Sequence, residues 1–272
     1  MNNNTKNNRN DGNKLLKFSK ELLVSWVGVF IVLIIWQAVV SFRIVNPAVF
    51  PSPIQVVEAA LYRISLPVLL GHISISLQRV VIGFLIGALL GIFIGITSGW
   101  YRLLAKIVWT PIDLLRPIPP LAWISLALIW FGLGESSKVF IIFIGAFFPI
   151  VTSTYKGMNN IDPDLLRVGQ GMGIRGIKLL FKVAFPASLP DIATGIRVGW
   201  SLSFGSLVAA EILAAREGLG FLIMFAREVG EINLIVYGIF IIGLLNLLTD
   251  FLIRRYIIEN QLKWHFGSQS NE

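Results

Sequence analysis

The chain has 272 residues, of which 55% are hydrophobic and only 14% charged, against roughly a quarter charged in an ordinary soluble domain. Its mean hydropathy of +0.76 excludes a single water-soluble core able to hide all that apolar surface. The net charge of +8 is gathered at the ends and in a few loops, which speaks for membrane orientation and against nucleic-acid binding, and the lack of cysteine excludes a disulfide framework, a thiolate metal site and a Cys nucleophile.

Residues 1–20 are rich in Asn and Lys without apolar periodicity, the composition of a disordered tail. The apolar run from Leu22 to about Phe42 is too long for a signal peptide and lacks a small-residue cleavage site, so it is predicted to be a first spanning helix. Five further segments are long and apolar enough to cross a bilayer: about 77–97, 107–131, 138–155, 191–213 and 233–253. These predict an all-α, polytopic membrane bundle of about six transmembrane helices. The third is interrupted by Arg116-Pro-Ile-Pro-Pro120; proline removes donors and kinks a helix, so either a kink or a re-entrant elbow before a shorter helix is expected there.

Between spans, Phe50-Pro-Ser-Pro-Ile54 followed by Val56, Val57, Ala60, Leu61 and Ile64 suggests an amphipathic helix along the outer surface. Residues 214–232 suggest a short dip back toward the membrane. If the N-terminus is cytoplasmic, fifteen Lys and Arg fall on that side and five on the other. This positive-inside bias puts both termini and the 156–190 loop in the cytoplasm. That loop begins as a helix, because Asp162 can cap the first amides and Pro163 suits the first turn. Leu165, Leu166, Val168, Met172 and Ile174 supply an apolar face, while Gly169, Gly171 and Gly173 would each cost a helix interior about 1 kcal/mol. Such a helix needs a partner surface, either its own bundle or another protein.

No Gly-x-x-x-x-Gly-Lys-Ser/Thr loop occurs, so energy must come from a partner or a gradient. The intramembrane acids Asp113, Glu211 and Asp250 sit near span ends, where Arg pairing is the commoner arrangement than a proton relay. Two distant histidines, His72 and His265, make no metal site, no metal is expected, and no cofactor is implied.

Arg167-Val168-Gly169, three residues, Gly173, nine residues and then Val183-Ala-Phe185-Pro186 resembles, without a gap, the cytoplasmic loop of permease subunits of bacterial ABC importers. Phe50-Pro-Ser-Pro53, Leu115-Arg-Pro-Ile-Pro-Pro-Leu121, Trp130-Phe-Gly-Leu-Gly-Glu135, Phe147-Phe-Pro-Ile150 and Ala209-Ala-Glu-Ile-Leu213 are similar to the nitrate, sulfonate, taurine and bicarbonate branch. The resemblance covers roughly residues 22–265. It implies a type I ABC importer permease fold over 21–265, between cytoplasmic tails at 1–20 and 266–272, with a coupling helix within 162–176. It further implies no catalytic residue in this chain, a bacterial cell-membrane location, surrounding membrane lipid, a homodimer, two ATPase subunits and an extracytoplasmic solute-binding protein. The solute would be an oxyanion such as nitrate, a sulfonate or taurine.

ATPase coupling would fall to Asp164, Leu165, Leu166, Arg167, Val168, Gly169, Gln170, Gly173, Ile174, Arg175 and Pro186. The translocation pathway would fall to Arg197, Trp200, Ser203, Ser206 and Glu211, although close packing through small hydroxyl residues is an equal reading of the serines. Arg167 stands where the family usually has Glu, so the charge it presents to a partner is reversed. The rival reading is an ion- or proton-coupled secondary transporter acting alone.

Overall fold

The computed structural model describes residues 27–46 and 49–258, and among them every regular element is helical. The expected tails at 1–20 and 266–272, and the start of the first span, lie outside the described residues. In chain order the helices are α1 (Val27–Ser41), α2 (Pro53–Tyr62), α3 (Leu66–Trp100), α4 (Arg102–Leu115), a 3-10 turn (Pro120–Trp123), α5 (Ile124–Phe131), α6 (Glu135–Asn159), α7 (Pro163–Gly171), the short α8 (Ile177–Leu179), a π turn (Leu180–Ala184), α9 (Phe185–Ala214), α10 (Leu219–Glu228), α11 (Ile232–Leu252) and a second π turn (Ile253–Ile258).

Three long helices, α3, α6 and α9, form the core, and small residues set their register. Gly83, Gly87, Gly91, Gly95 and Gly99 recur every four residues on one side of α3. They face Ile142, Ala146, Ile150, Thr154 and Met158, which recur every four residues on α6. Both series ascend together, so the two helices run parallel and in step. A methyl group added at Gly83 would lie 2.7 Å from the Ile142 Cβ, and one at Gly87 would lie 2.8 Å from the Ala146 Cβ. Gly195 and Gly199 of α9 meet Ser153 and Ile150 in the reverse order, making α9 antiparallel to α6. In a lipid solvent helices gain little by hiding apolar side chains from each other, and association depends on close van der Waals contact, which such stripes allow. Val80, Phe84, Ile142, Ile150, Trp200, Phe204 and Leu207 fill the space alongside. Gly87→Leu should therefore force α3 off α6, at a cost of about 1–3 kcal/mol or more. A lowered melting temperature of the solubilised protein, seen as loss of the monodisperse peak on heating, checks this.

Among the described residues, the six expected spans correspond to four helices that meet the length and apolarity of a span, five when a bent pair counts as one. The described part of α1 is shorter than a full crossing. The third expected span is the bent pair: α4 and the segment from Pro120 to Phe131 meet at 90°. Pro117, Pro119 and Pro120 have no N–H to continue the ladder, which explains the break. Two boundaries also differ. The second span begins at Leu66 rather than near 77. The fifth is continuous from Ile177 to Ala214, because the π turn lets the chain pass Pro186 without leaving the helix: the Phe185 amide donates to the Leu180 carbonyl.

The peripheral pieces follow the local signals. Ser52 and Gln55 form a reciprocal capping box at the start of α2, whose Val56 and Ala59 are buried. The dip expected at 214–232 is α10, closed beneath Leu69 and Leu234 through Leu219, Leu222 and Ala226.

Candidate functional site

At one end of the bundle α7 stands clear of the core. The Asp162 carboxylate accepts from the Asp164 amide at 2.8 Å and Pro163 occupies the first turn, as the sequence predicts. The glycines are arranged otherwise than a helix interior would place them. Gly171 is the last helical residue. Gly173 lies beyond it with φ of +81°, and the Ile174 amide closes back onto the Gly169 carbonyl at 3.1 Å, so Gly173 ends the helix rather than weakening it. Gly169 is the close-approach position: a methyl there would lie 2.8 Å from Leu179 Cδ1 and 3.2 Å from Val183 Cγ2.

This gives α7 two unlike faces. Leu166 packs onto the cluster of Met158, Leu180 and Ala184, which ties α7 to the end of α6 and the start of α9. Leu165, Val168 and Met172 point outward, with Val168 60% and Met172 75% exposed, and Ile177 and Phe181 extend the apolar surface. Arg167 pairs with Asp164 at 2.7 Å on the open surface. Gln170, Arg175, Lys178 and Lys182 are exposed around it, Ile174 is half-buried, and Pro186 is half-buried in the first turn of α9.

The five pathway candidates of α9 are drawn into contacts within the chain. Trp200 is buried edge-on against Phe84, with ring centroids 4.8 Å apart, and its Nε1 donates to Thr249 Oγ1. Ser203 is fully buried and donates to the Gly199 carbonyl. Ser206 presses against Gly145. Arg197 forms a two-nitrogen pair with Asp250 of α11 at 3.0 and 3.2 Å.

Glu211 belongs to an ion network at the end opposite α7. It is completely buried, and its carboxylate accepts from Arg79 Nη1 at 2.7 Å, Ser76 Oγ at 2.8 Å and the Gly220 amide at 2.8 Å. Arg79 also clasps both oxygens of Glu135 at 2.6 and 2.8 Å and donates to the Glu217 carbonyl at 2.6 Å. Lys138 donates to Glu135 at 2.6 Å. His72 Nδ1 accepts from the Gly218 amide at 3.0 Å. One arginine thus ties together α3, α6, α9 and the turn before α10. In the sequence Arg79 falls within an expected span and Glu135 within a motif, but no local signal joins Arg79 to Glu135 and Glu211, 56 and 132 positions away.

Where α4 and α5 part, a cavity of about 490 Å³ opens between the break, α6 and α9. Arg116, Pro117, Ile118 and Pro120 form one wall, Gly145, Phe148, Pro149, Thr152 and Ser153 a second, and Val198 and Leu202 a third. None of the five α9 candidates lines it. Trp200, Ser203, Ser206 and Glu211 lie on the buried flank of α9 and Arg197 at its half-exposed edge, while Val198 and Leu202 lie on the flank left open, 46% and 50% exposed. Among the described residues no three His, Asp or Glu side chains come together as metal ligands.

The sequence and fold can be set beside known proteins. The profile of the binding-protein-dependent transport system inner membrane component family matches residues 87–257. A protein of Methanocaldococcus jannaschii named as an ABC transporter permease is 38% identical over 90% of this chain and 93% of its own. The taurine transport system permease protein TauC of Escherichia coli is 32% identical over 91% of each. Among solved structures, the inward-facing methionine ABC transporter MetNI superposes with a TM-score of 0.55 and 18% identity, covering 70% of this chain and 98% of that one; at that identity the likeness is one of fold.

Proposed function

From the chain's membership of the binding-protein-dependent transport system inner membrane components, the family to which it belongs, we propose how this permease subunit of an ABC importer carries out its work. The α7 helix is the coupling element. Its exposed face of Leu165, Val168 and Met172 seats in a groove of a separate ATPase subunit, while Leu166 and Gly169 hold it to the ends of α6 and α9. A push on α7 is passed to two of the three core helices without an intervening flexible link.

Asp164, Arg167, Gln170, Ile174 and Arg175 border the contact. Gly173 and Pro186 shape it, one by ending the helix and the other by starting α9. Two copies of this chain and two ATPase subunits make the working unit. Supporting the second copy, Val198 and Leu202 leave the cavity open along one flank. An extracytoplasmic binding protein delivers solute at the end that holds Arg79 and Glu211, since the positive-inside distribution turns α7 and both termini to the cytoplasm. The pathway runs along the open flank of α9, with Trp200, Ser203, Ser206 and Glu211 supporting that wall from behind and Arg197 bracing it to α11. The solute is a small oxyanion, in line with the taurine named for one relative.

The observation that carries this reading is the two-faced α7, anchored on one side and apolar and exposed on the other. Proteoliposomes holding this chain with its ATPase subunit and binding protein should accumulate radiolabelled taurine when ATP is supplied and not with a non-hydrolysable analogue. Uptake by this chain alone under an ion gradient would overturn the proposal.

A further inference from the structure

The cavity at the helix break holds one cation. Its walls on α6 run from Ile144 to Ser153, the middle of a 25-residue helix that begins at Glu135 and ends at Asn159. Arg116 therefore stands beside the middle of a spanning helix, where a guanidinium is costly and retained for a purpose. Its sole ion pair among the described residues is a long one, Nε to Asp113 at 3.4 Å on the same helix. The Nη groups have no hydrogen-bond partner there, and Asp113 does not line the cavity. Arg197, at a comparable depth on α9, differs: its Nε and Nη2 donate to the two carboxylate oxygens of Asp250 at 3.2 and 3.0 Å.

The other walls suit a small polar solute. Thr152 donates to the Phe148 carbonyl, and Ser153 makes no hydrogen bond among the described residues. Pro117, Pro120 and Pro149, which line the cavity, have no amide to donate to the carbonyls four residues back, and irregular backbone at membrane depth is tolerated where it lines a wet cavity.

We infer that this cavity is a solute-recognition subsite inside the permease, with Arg116 the residue that selects an anionic group such as a sulfonate as it passes. A planar guanidinium offers two parallel donors to a sulfonate or carboxylate, and the freed carbonyls accept from an ammonium at the other end of a zwitterion. The inference rests on the importer reading above and adds to it a checkpoint separate from the binding protein.

The test uses the reconstituted complex with radiolabelled taurine, reading both uptake and the ATP hydrolysis stimulated by loaded binding protein. In Arg116→Gln uptake per ATP should fall roughly tenfold, as for loss of one charged hydrogen-bonding group, while the stimulated hydrolysis stays. Asp113→Asn should transport at least as well as wild type, since it frees the guanidinium. Because the chain has no cysteine, Arg116→Cys allows chemical rescue: a cationic thiosulfonate reagent should restore uptake and an anionic one should not. That readout also covers poor assembly of the glutamine variant. Unchanged uptake in Arg116→Gln, an equal loss in Asp113→Asn, or no rescue by the cationic reagent would overturn the subsite alone. No uptake of taurine, of another sulfonate or of nitrate by the wild-type complex would instead defeat the oxyanion reading on which the subsite depends.

Discussion

Arg79→Gln is expected to lower the stability of the protein more than any other single change considered. Glu211 is completely buried, and Arg79 supplies the charge opposite it while also holding Glu135. Removing one member of a buried ion pair leaves the other charge uncompensated, which costs about 3–5 kcal/mol. The amide of glutamine is too short to reach Glu211, Glu135 and the Glu217 carbonyl together. Thermal unfolding followed by size-exclusion chromatography should show a large drop for Arg79→Gln. Arg79→Gln combined with Glu211→Gln should recover much of the loss, because no charge is then stranded. A single variant as stable as wild type would show that the network does not hold the ends of α3, α6 and α9 together.

Val168→Glu should give the largest loss of function with little loss of fold. Val168 is 60% exposed and makes no core contact in this chain, so the folded permease accommodates a carboxylate there in water. Seated in an apolar groove, the same carboxylate is stripped of water without a partner, a cost of several kcal/mol, and uptake should fall by about a hundredfold or more. Leu166→Glu is the contrasting change. Leu166 packs on Met158, Leu180 and Ala184, so that variant should lose folded protein as well as transport. Normal uptake by Val168→Glu in the reconstituted complex would remove the outward face of α7 from the coupling contact.

Features specified by neighbouring residues were readable from sequence. Asp162-Pro163 announces the start of α7, and Ser52 with Gln55 starts α2, each through a hydrogen bond made within three residues. The prolines from 117 to 120 announce a break, though not its 90° angle, which depends on how α5 packs against α6. Gly173 belongs to the motif, but nothing local in the sequence tells a helical glycine from one with the left-handed φ it takes once the chain turns back. The glycine series from 83 to 99 is a four-residue repeat that marks a close-packing face in the sequence, while its partner α6 and the parallel register come only from the contacts. The Arg79 network depends on side chains brought together from distant helices; Arg116 is legible in the sequence as a cation at a span edge that favours an anion, but the cavity that α6 and α9 wall around it is not.

The contact between α7 and an ATPase subunit is best tested by a single cross-link. Val168→Cys introduces the chain's only cysteine at the centre of the outward face, in a residue whose side chain the fold does not need. In the assembled transporter, a short bifunctional thiol reagent and a cysteine placed along the ATPase groove should yield one permease–ATPase product, with a yield that changes between nucleotide-free and ATP-bound states. An assembled transporter in which Val168→Cys reacts freely with a bulky water-soluble maleimide and forms no such product would contradict the coupling role of α7.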